Sequence, residues 1–217
     1  MKKLFMFTAA AAFLASCTNS NSEKATTTDA QAVTASTGTA YTIDSTTTVS
    51  WKGSKPTGSH EGTFKVKDGS LLVDNNALTG GSFNIDITSL KNVDLANDPK
   101  QKEGLEGHLK SPDFFDAAKY PTAKFEITGV EPYVADSSSK TKDATHIIKG
   151  NLTLKDSTKN ISFPAKVTVD ANTVAAFADF DIDRTQWGMN YKGPNNPADW
   201  VISKTVNIKL SVSASKK

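Results

Sequence analysis

From Tyr41 onward, apolar side chains recur at every second position. Tyr41, Ile43, Val49 and Trp51 share one parity, and Phe64 and Val66 alternate with Thr63, Lys65 and Lys67. Asp68-Gly69, a dipeptide favoured in tight hairpins, predicts a turn before Leu71 and Val73 resume the alternation. Phe83, Ile85 and Ile87 follow, then Ala123, Phe125 and Ile127, Ile148, Leu152 and Leu154, and Ile161, Phe163, Val167 and Val169. Val174, Ala176, Ala178, Phe180 and Ile182 keep step although Phe177 does not. Ile202, Val206, Ile208, Leu210 and Val212 close the chain, with Lys204 out of pattern. Period two places each set on one face of a strand. About nine short strands with one apolar face and short connections predict an antiparallel sheet that closes on itself. A two-sheet sandwich is the rival architecture.

One segment breaks the alternation. In "HLKSPDFFDAAKYP", Ser111-Pro112-Asp113 reads as N-cap, first helical residue and an acid at the positive end of the helix dipole. Leu105 and Leu109 stand four apart, on one face of a preceding turn. Helix is therefore expected only near residues 98 to 118. Phe114 and Phe115 cannot both face water cheaply, so at least one should plug apolar space between strands or across a barrel end.

The start of the chain obeys other rules. Lys2 and Lys3 precede an apolar run from Leu4 to Ala15, too short for a membrane span of roughly 20 residues but typical of a signal segment. Leu14-Ala15-Ser16-Cys17 ends the run and resembles the bacterial lipoprotein processing site, and Cys17 is the only cysteine. This reading makes residues 1 to 16 a signal peptide, Cys17 the lipidated residue, 17 to 39 a flexible tether and 40 to 217 the folded domain. Residues 18 to 39 hold Val33 as their only large apolar side chain, too little to offset ordering entropy. A coil of that length spans on the order of 25 Å. Thr18 lacks the aspartate that retains many enterobacterial lipoproteins at the inner membrane, which favours an outer-membrane anchor facing the periplasm.

Composition narrows the partners. Two of the 25 Lys and Arg residues lie in residues 1 to 16, so 23 remain against 23 acids. A neutral mature chain argues against nucleic acid or an anionic membrane surface as main partner. His60, His108 and His146 are far apart, and no His-Glu-x-x-His motif, nucleophile elbow or phosphate-binding glycine loop occurs. No catalytic residue, metal ligand or cofactor is assigned. Glu103, Glu106 and His108 lack the spacing of a metal site and read as a solvated helix surface. Arg184 falls on the inner face with Phe180 and Ile182 and needs an acid or carbonyl partner. A headgroup clamp and an ion pair closing the barrel end both fit it.

Three ordered segments together carry a resemblance. "EGHLKSPDFFDAAKYPTAKFEITGVE", "IKGNLTLKDSTKNISFPAKV" and "FDIDRTQWGMNY" resemble segments of the YceI-like family, over roughly Tyr41 to Val212. The resemblance implies an eight-stranded, lipocalin-like antiparallel barrel with a long apolar tunnel for polyisoprenoid, quinone-type or fatty-acyl chains. Phe83, Ile85, Phe114, Phe115, Phe125, Ile127, Leu152, Leu154, Phe163, Ala176, Ala178, Phe180 and Trp187 are the expected lining. The small side chains of Ala176 and Ala178, and the gap at Gly80-Gly81, would leave room. Family members often carry a His-Ser pair after the opening Ile-Asp, whereas "IDSTTTVSW" has Ser45 and Thr46. His60 and Arg184 are the candidate headgroup contacts. Each five-carbon isoprene unit removed from water contributes on the order of 3 kcal/mol. The rival functions are an enzyme acting on a lipid or redox molecule, dependent on His60, His108 or Asp183, and an envelope protein with a packed core.

Overall fold

The structure is a computed structural model that describes residues 22–193 and 201–217. Cys17 and the expected signal peptide lie outside the described residues. In chain order the elements are β1 (Glu23–Lys24), β2 (Thr26–Asp29), β3 (Thr39–Ile43), β4 (Thr48–Lys55), β5 (Gly58–Asp74) and β6 (Ala77–Asn92). Then come α1 (Pro99–Lys110), β7 (Thr122–Pro132), β8 (His146–Leu154), β9 (Ser157–Val169), β10 (Thr173–Asp183), a 3-10 turn (Arg184–Trp187) and β11 (Thr205–Lys216).

Antiparallel neighbours run from β5 to β11 in sequence order. The circuit closes through β3 and β4, which pair with successive stretches of both β11 and β5 and together act as one stave. The result is a closed eight-stranded antiparallel barrel with one short helix. Its core is the period-two set, with Val49, Trp51, Phe83, Phe125, Phe163, Phe180 and Ala214 all buried. Phe177, out of step in the sequence, is 43% exposed.

Three local expectations are corrected. Asp68-Gly69 makes no hairpin turn, because β5 runs straight through it for 17 residues. Gly69, at φ +152°, pairs with Phe83 two residues past the bulge at Lys67, and a Cβ on it would come within 2.5 Å of the Phe83 Cβ. The turn lies at Asn75-Asn76, whose φ values of 49° and 61° suit a two-residue hairpin. The helix, too, begins earlier than Ser111. Asp98 caps it through an Oδ1 that accepts from Gln101 N at 3.0 Å, with Pro99 in the first turn. Ser111 is its C-cap, and residues 112 to 115 form a turn in which Phe115 N donates to Leu109 O at 3.1 Å. "NDPK" and "KSPD" carry the same cap-and-proline signal, and the first one nucleates the helix.

The third correction concerns the tether. Between β9 and β10 only Lys166–Val169 and Val174–Phe177 pair, so the two strands splay apart over the rest of their length. The N-terminal segment fills that seam. β1 pairs in parallel with Phe180 and Asp181, and β2 pairs with Lys159 to Ser162. Ala25 is buried, its N–H donating to Asp181 O at 2.9 Å. Asn151 holds both N–H and C=O of Gln31, at 3.0 and 2.7 Å, and Ser36 Oγ donates to Thr79 O at 2.9 Å. Threonines with free backbone groups need no apolar side chains when a strand edge offers a full set of hydrogen bonds.

Candidate functional site

The inward faces of the barrel do not fill it. A chamber of about 630 Å³ occupies the end beneath α1 and the β4–β5 turn. Its walls are mainly Val49, Phe64, Ile85, Ile87, Ile161 and Ile208 from the strands, with Leu105, Leu109, Phe114 and Phe115 from the helical insert. Phe115 packs edge-on against Phe64, with ring centroids 5.3 Å apart, which fastens the insert across the barrel end. Ser54, Lys55, Gly58 and Ser59 line the chamber and are exposed, so it meets solvent at the tip of the β4–β5 hairpin.

A second, smaller void of about 30 Å³ lies beyond the chamber and shares Phe83, Phe125, Phe163 and Leu210 with it. These shared rings form a partition. Centroids are 5.5 Å apart for Phe83 and Phe125 and 5.9 Å for Phe125 and Phe163; Phe163 stacks on Phe180 at 4.0 Å and 10°. The interior is therefore a blind chamber with an aromatic floor, and the end-to-end tunnel implied by the resemblance is replaced by it.

Phe83, Ile85, Phe114, Phe115, Phe125, Leu152, Leu154, Phe163 and Phe180 all line the chamber, as do His60 and Arg184. Ile127, Ala176 and Ala178 line only the small void beyond the floor. Trp187 lines neither: it is almost wholly buried, its Nε1 donating to Leu152 O at 2.9 Å, and it serves the core. Gly80-Gly81 opens no ligand space. A Cβ on Gly80 would strike Ser36 Oγ at 2.4 Å, and one on Gly81 would strike Ser70 O at 2.4 Å.

Sequence reasoning left out Trp51, Phe64, Leu105, His108 and Leu109 as lining. For Trp51 and Phe64 the signal was present in the shared inward parity. His108, expected on a solvated surface, lies at the last turn of α1, edge-on to Phe114 at 5.2 Å and to Tyr191 at 4.8 Å. No local pattern announces that contact, because Tyr191 arrives from the far end of the chain.

Polar groups gather at the same end. Arg184 makes no ion pair among the described residues. Its Nε donates to Ser203 O at 3.0 Å, Nη2 to Tyr191 O and Ile202 O at 3.0 Å each, and Nη1 to Met189 O. Burial lowers the guanidinium's pKa from its ordinary value, yet arginine stays charged in proteins. Asp183 turns instead to Lys204, at 3.3 Å. His60 Nδ1 lies 2.8 Å from Asp94 Oδ2. Partial burial opposes the Asp94 charge, but hydrogen bonds from Glu61 N–H, His60 and Asn92 outweigh it and hold this carboxyl at about 2. Among the described residues, no cluster of three or more His, Cys, Asp or Glu side chains is placed to hold a metal.

A closed antiparallel barrel around a blind apolar chamber, capped by one helix, defines a lipocalin-like container fold. The chain belongs to the YceI-like family, whose domain matches residues 41–214. It is 30% identical to the UPF0312 protein of Pseudomonas putida strain W619 over 169 residues, 72% of this chain and 73% of that protein. It is 34% identical to protein YceI of Escherichia coli O6:H1 over 107 residues, about half of each. Among solved structures it is similar to BcnA of Burkholderia cenocepacia, with a TM-score of 0.61 and 20% identity over 80% of this chain and 99% of that one. A polyisoprenoid-binding domain from Saccharophagus degradans superposes with a TM-score of 0.56 and 16% identity, covering 82% and 98% of the two chains.

Proposed function

We propose that the protein binds one long apolar molecule, a polyisoprenoid, quinone-type or fatty-acyl chain, and shields it from water in the bacterial envelope. The observation that carries this reading is the chamber. An unfilled apolar space of about 630 Å³ forfeits packing contacts that a close-packed core would make, and an apolar chain would supply them. A chamber of this size also speaks against the packed-core alternative. The polyisoprenoid-binding function named for the Saccharophagus degradans neighbour supports the same reading.

The aromatic floor bounds the tail. An apolar cavity of about 150 Å³ takes a benzene ring, so 630 Å³ corresponds by proportion to roughly 25 carbons. The favoured occupant is a chain of about three to five isoprene units, or a fatty acyl chain of similar reach. Mass spectrometry of solvent extracts from gently purified protein tests this. Recovery of one apolar species near stoichiometry is expected; repeated recovery of none overturns the proposal.

Cys17 carries the membrane anchor in this reading. Four residues separate it from Ser22, where the described chain begins, so the barrel rests within about 17 Å of the lipidated residue. Transfer between bilayer and chamber would then need only a short path. Cys17→Ala should release the protein from membranes, and retained membrane association refutes the anchor.

A further inference from the structure

The chamber wall carries basic side chains and no acidic ones. Lys55, His60, His108, Arg184 and Lys192 line it, and among the described residues no Asp or Glu does. A chain with 25 basic and 23 acidic residues has little compositional reason for this. The two histidines count for less than the rest, because one ring nitrogen of each is paired to a carboxylate: His60 Nδ1 to Asp94 at 2.8 Å and His108 Nε2 to Asp113 at 3.0 Å. Lys55 and Lys192 make no ion pair among the described residues, and Arg184 feels the Asp183 charge without a direct ion pair.

The three cations share one end. Ser203 N donates to Ser54 O at 2.8 Å, beside Lys55, while Ser203 O accepts from Arg184 Nε. Arg184 also binds Tyr191 O, and Lys192 Nζ lies 5.7 Å from the Tyr191 ring centroid. Arg184 itself lies 5.8 Å from the centroid of Phe114. A guanidinium that is almost wholly buried, bonded to carbonyls and only partly offset by the Asp183 charge projects a positive field into a low-dielectric space, where charges act strongly.

We propose that the occupant is an anionic amphiphile, whose acidic head lies among Lys55, Arg184 and Lys192 while its tail extends toward the Phe83–Phe125–Phe163 floor. This deepens the apolar-carrier reading and rests on it. The head's chemistry is that of a carboxylate or phosphate monoester, both acceptor-only groups suited to charge-assisted hydrogen bonds.

The test uses pairs with identical tails: geranylgeranyl phosphate against geranylgeraniol, and hexadecanoate against hexadecanol. Binding to the full chain is followed by intrinsic tryptophan fluorescence and by thermal unfolding. The acid is expected to bind at least tenfold more tightly than its alcohol at low ionic strength, with a smaller ratio in high salt. Whichever of phosphate and carboxylate shows the larger ratio names the source of the head. In Lys55→Met/Lys192→Met the ratio should fall below threefold. The ligand-free melting curve of that variant reports whether it is folded. Equal binding of acid and alcohol overturns the assignment of the head while leaving the chamber intact. Preference that survives the double substitution overturns the role of the lysines. Binding of neither partner at any tail refutes the carrier reading itself.

Discussion

Arg184 joins four backbone carbonyls, at Met189, Tyr191, Ile202 and Ser203, that belong to two chain segments beside the chamber mouth. Removing it leaves buried acceptors without donors. Arg184→Met should therefore lower stability by about 2–4 kcal/mol, and Arg184→Lys should recover little, because one ammonium cannot reproduce a planar fork. Urea unfolding of both variants checks this; full recovery by lysine would contradict it. Asp94 makes a different prediction. Its folded pKa, about 2, is below the ordinary 3.8, so its contribution is complete above about pH 4 and is lost as pH falls through 2. Asp94→Asn should remove that acid-side slope while leaving the neutral-side profile alone. Arg184 was legible in the sequence as an inward cation in need of partners. Its carbonyl partners were not, because they lie in loops whose course no periodicity encodes.

The period-two runs were enough to read the staves, since a half-buried strand must alternate whatever its neighbours do. Turns and caps were harder at this scale of the element. Asp68-Gly69 and Asn75-Asn76 both look like hairpin turns, and only the pairing of β5 with β6, which runs past Gly69 to Asp74, decides between them. The N-terminal strap was invisible to hydrophobic pattern because it is held mainly by backbone hydrogen bonds. Asn151→Ala removes the side chain that grips Gln31 on both sides. It should lower stability by about 1–3 kcal/mol and speed amide exchange along β2 and the facing part of β9. Unchanged exchange there would show the strap is held by other contacts. At the floor, Phe163 is the ring common to chamber, void and the Phe180 stack. Phe163→Ala should cost about 3–5 kcal/mol and join the two spaces. The preferred tail then lengthens by roughly six carbons, one benzene ring's worth. An unchanged optimum in a chain-length series would refute the floor as the stop.

For the whole molecule, the helical insert caps one end of the barrel, the aromatic rings close the interior below, and the strap seals the seam between β9 and β10. Each device comes from a different part of the chain, yet all three bound one apolar space. If that space takes a hydrocarbon tail, affinity must follow the length of tail it removes from water. Dissociation constants for a homologous series of fatty acids and prenyl phosphates measure this most directly. Each added methylene should tighten binding about fourfold, near 0.8 kcal/mol, until roughly 25 carbons, beyond which affinity levels or falls. Dissociation constants that do not change with tail length from the shortest member onward would contradict the account.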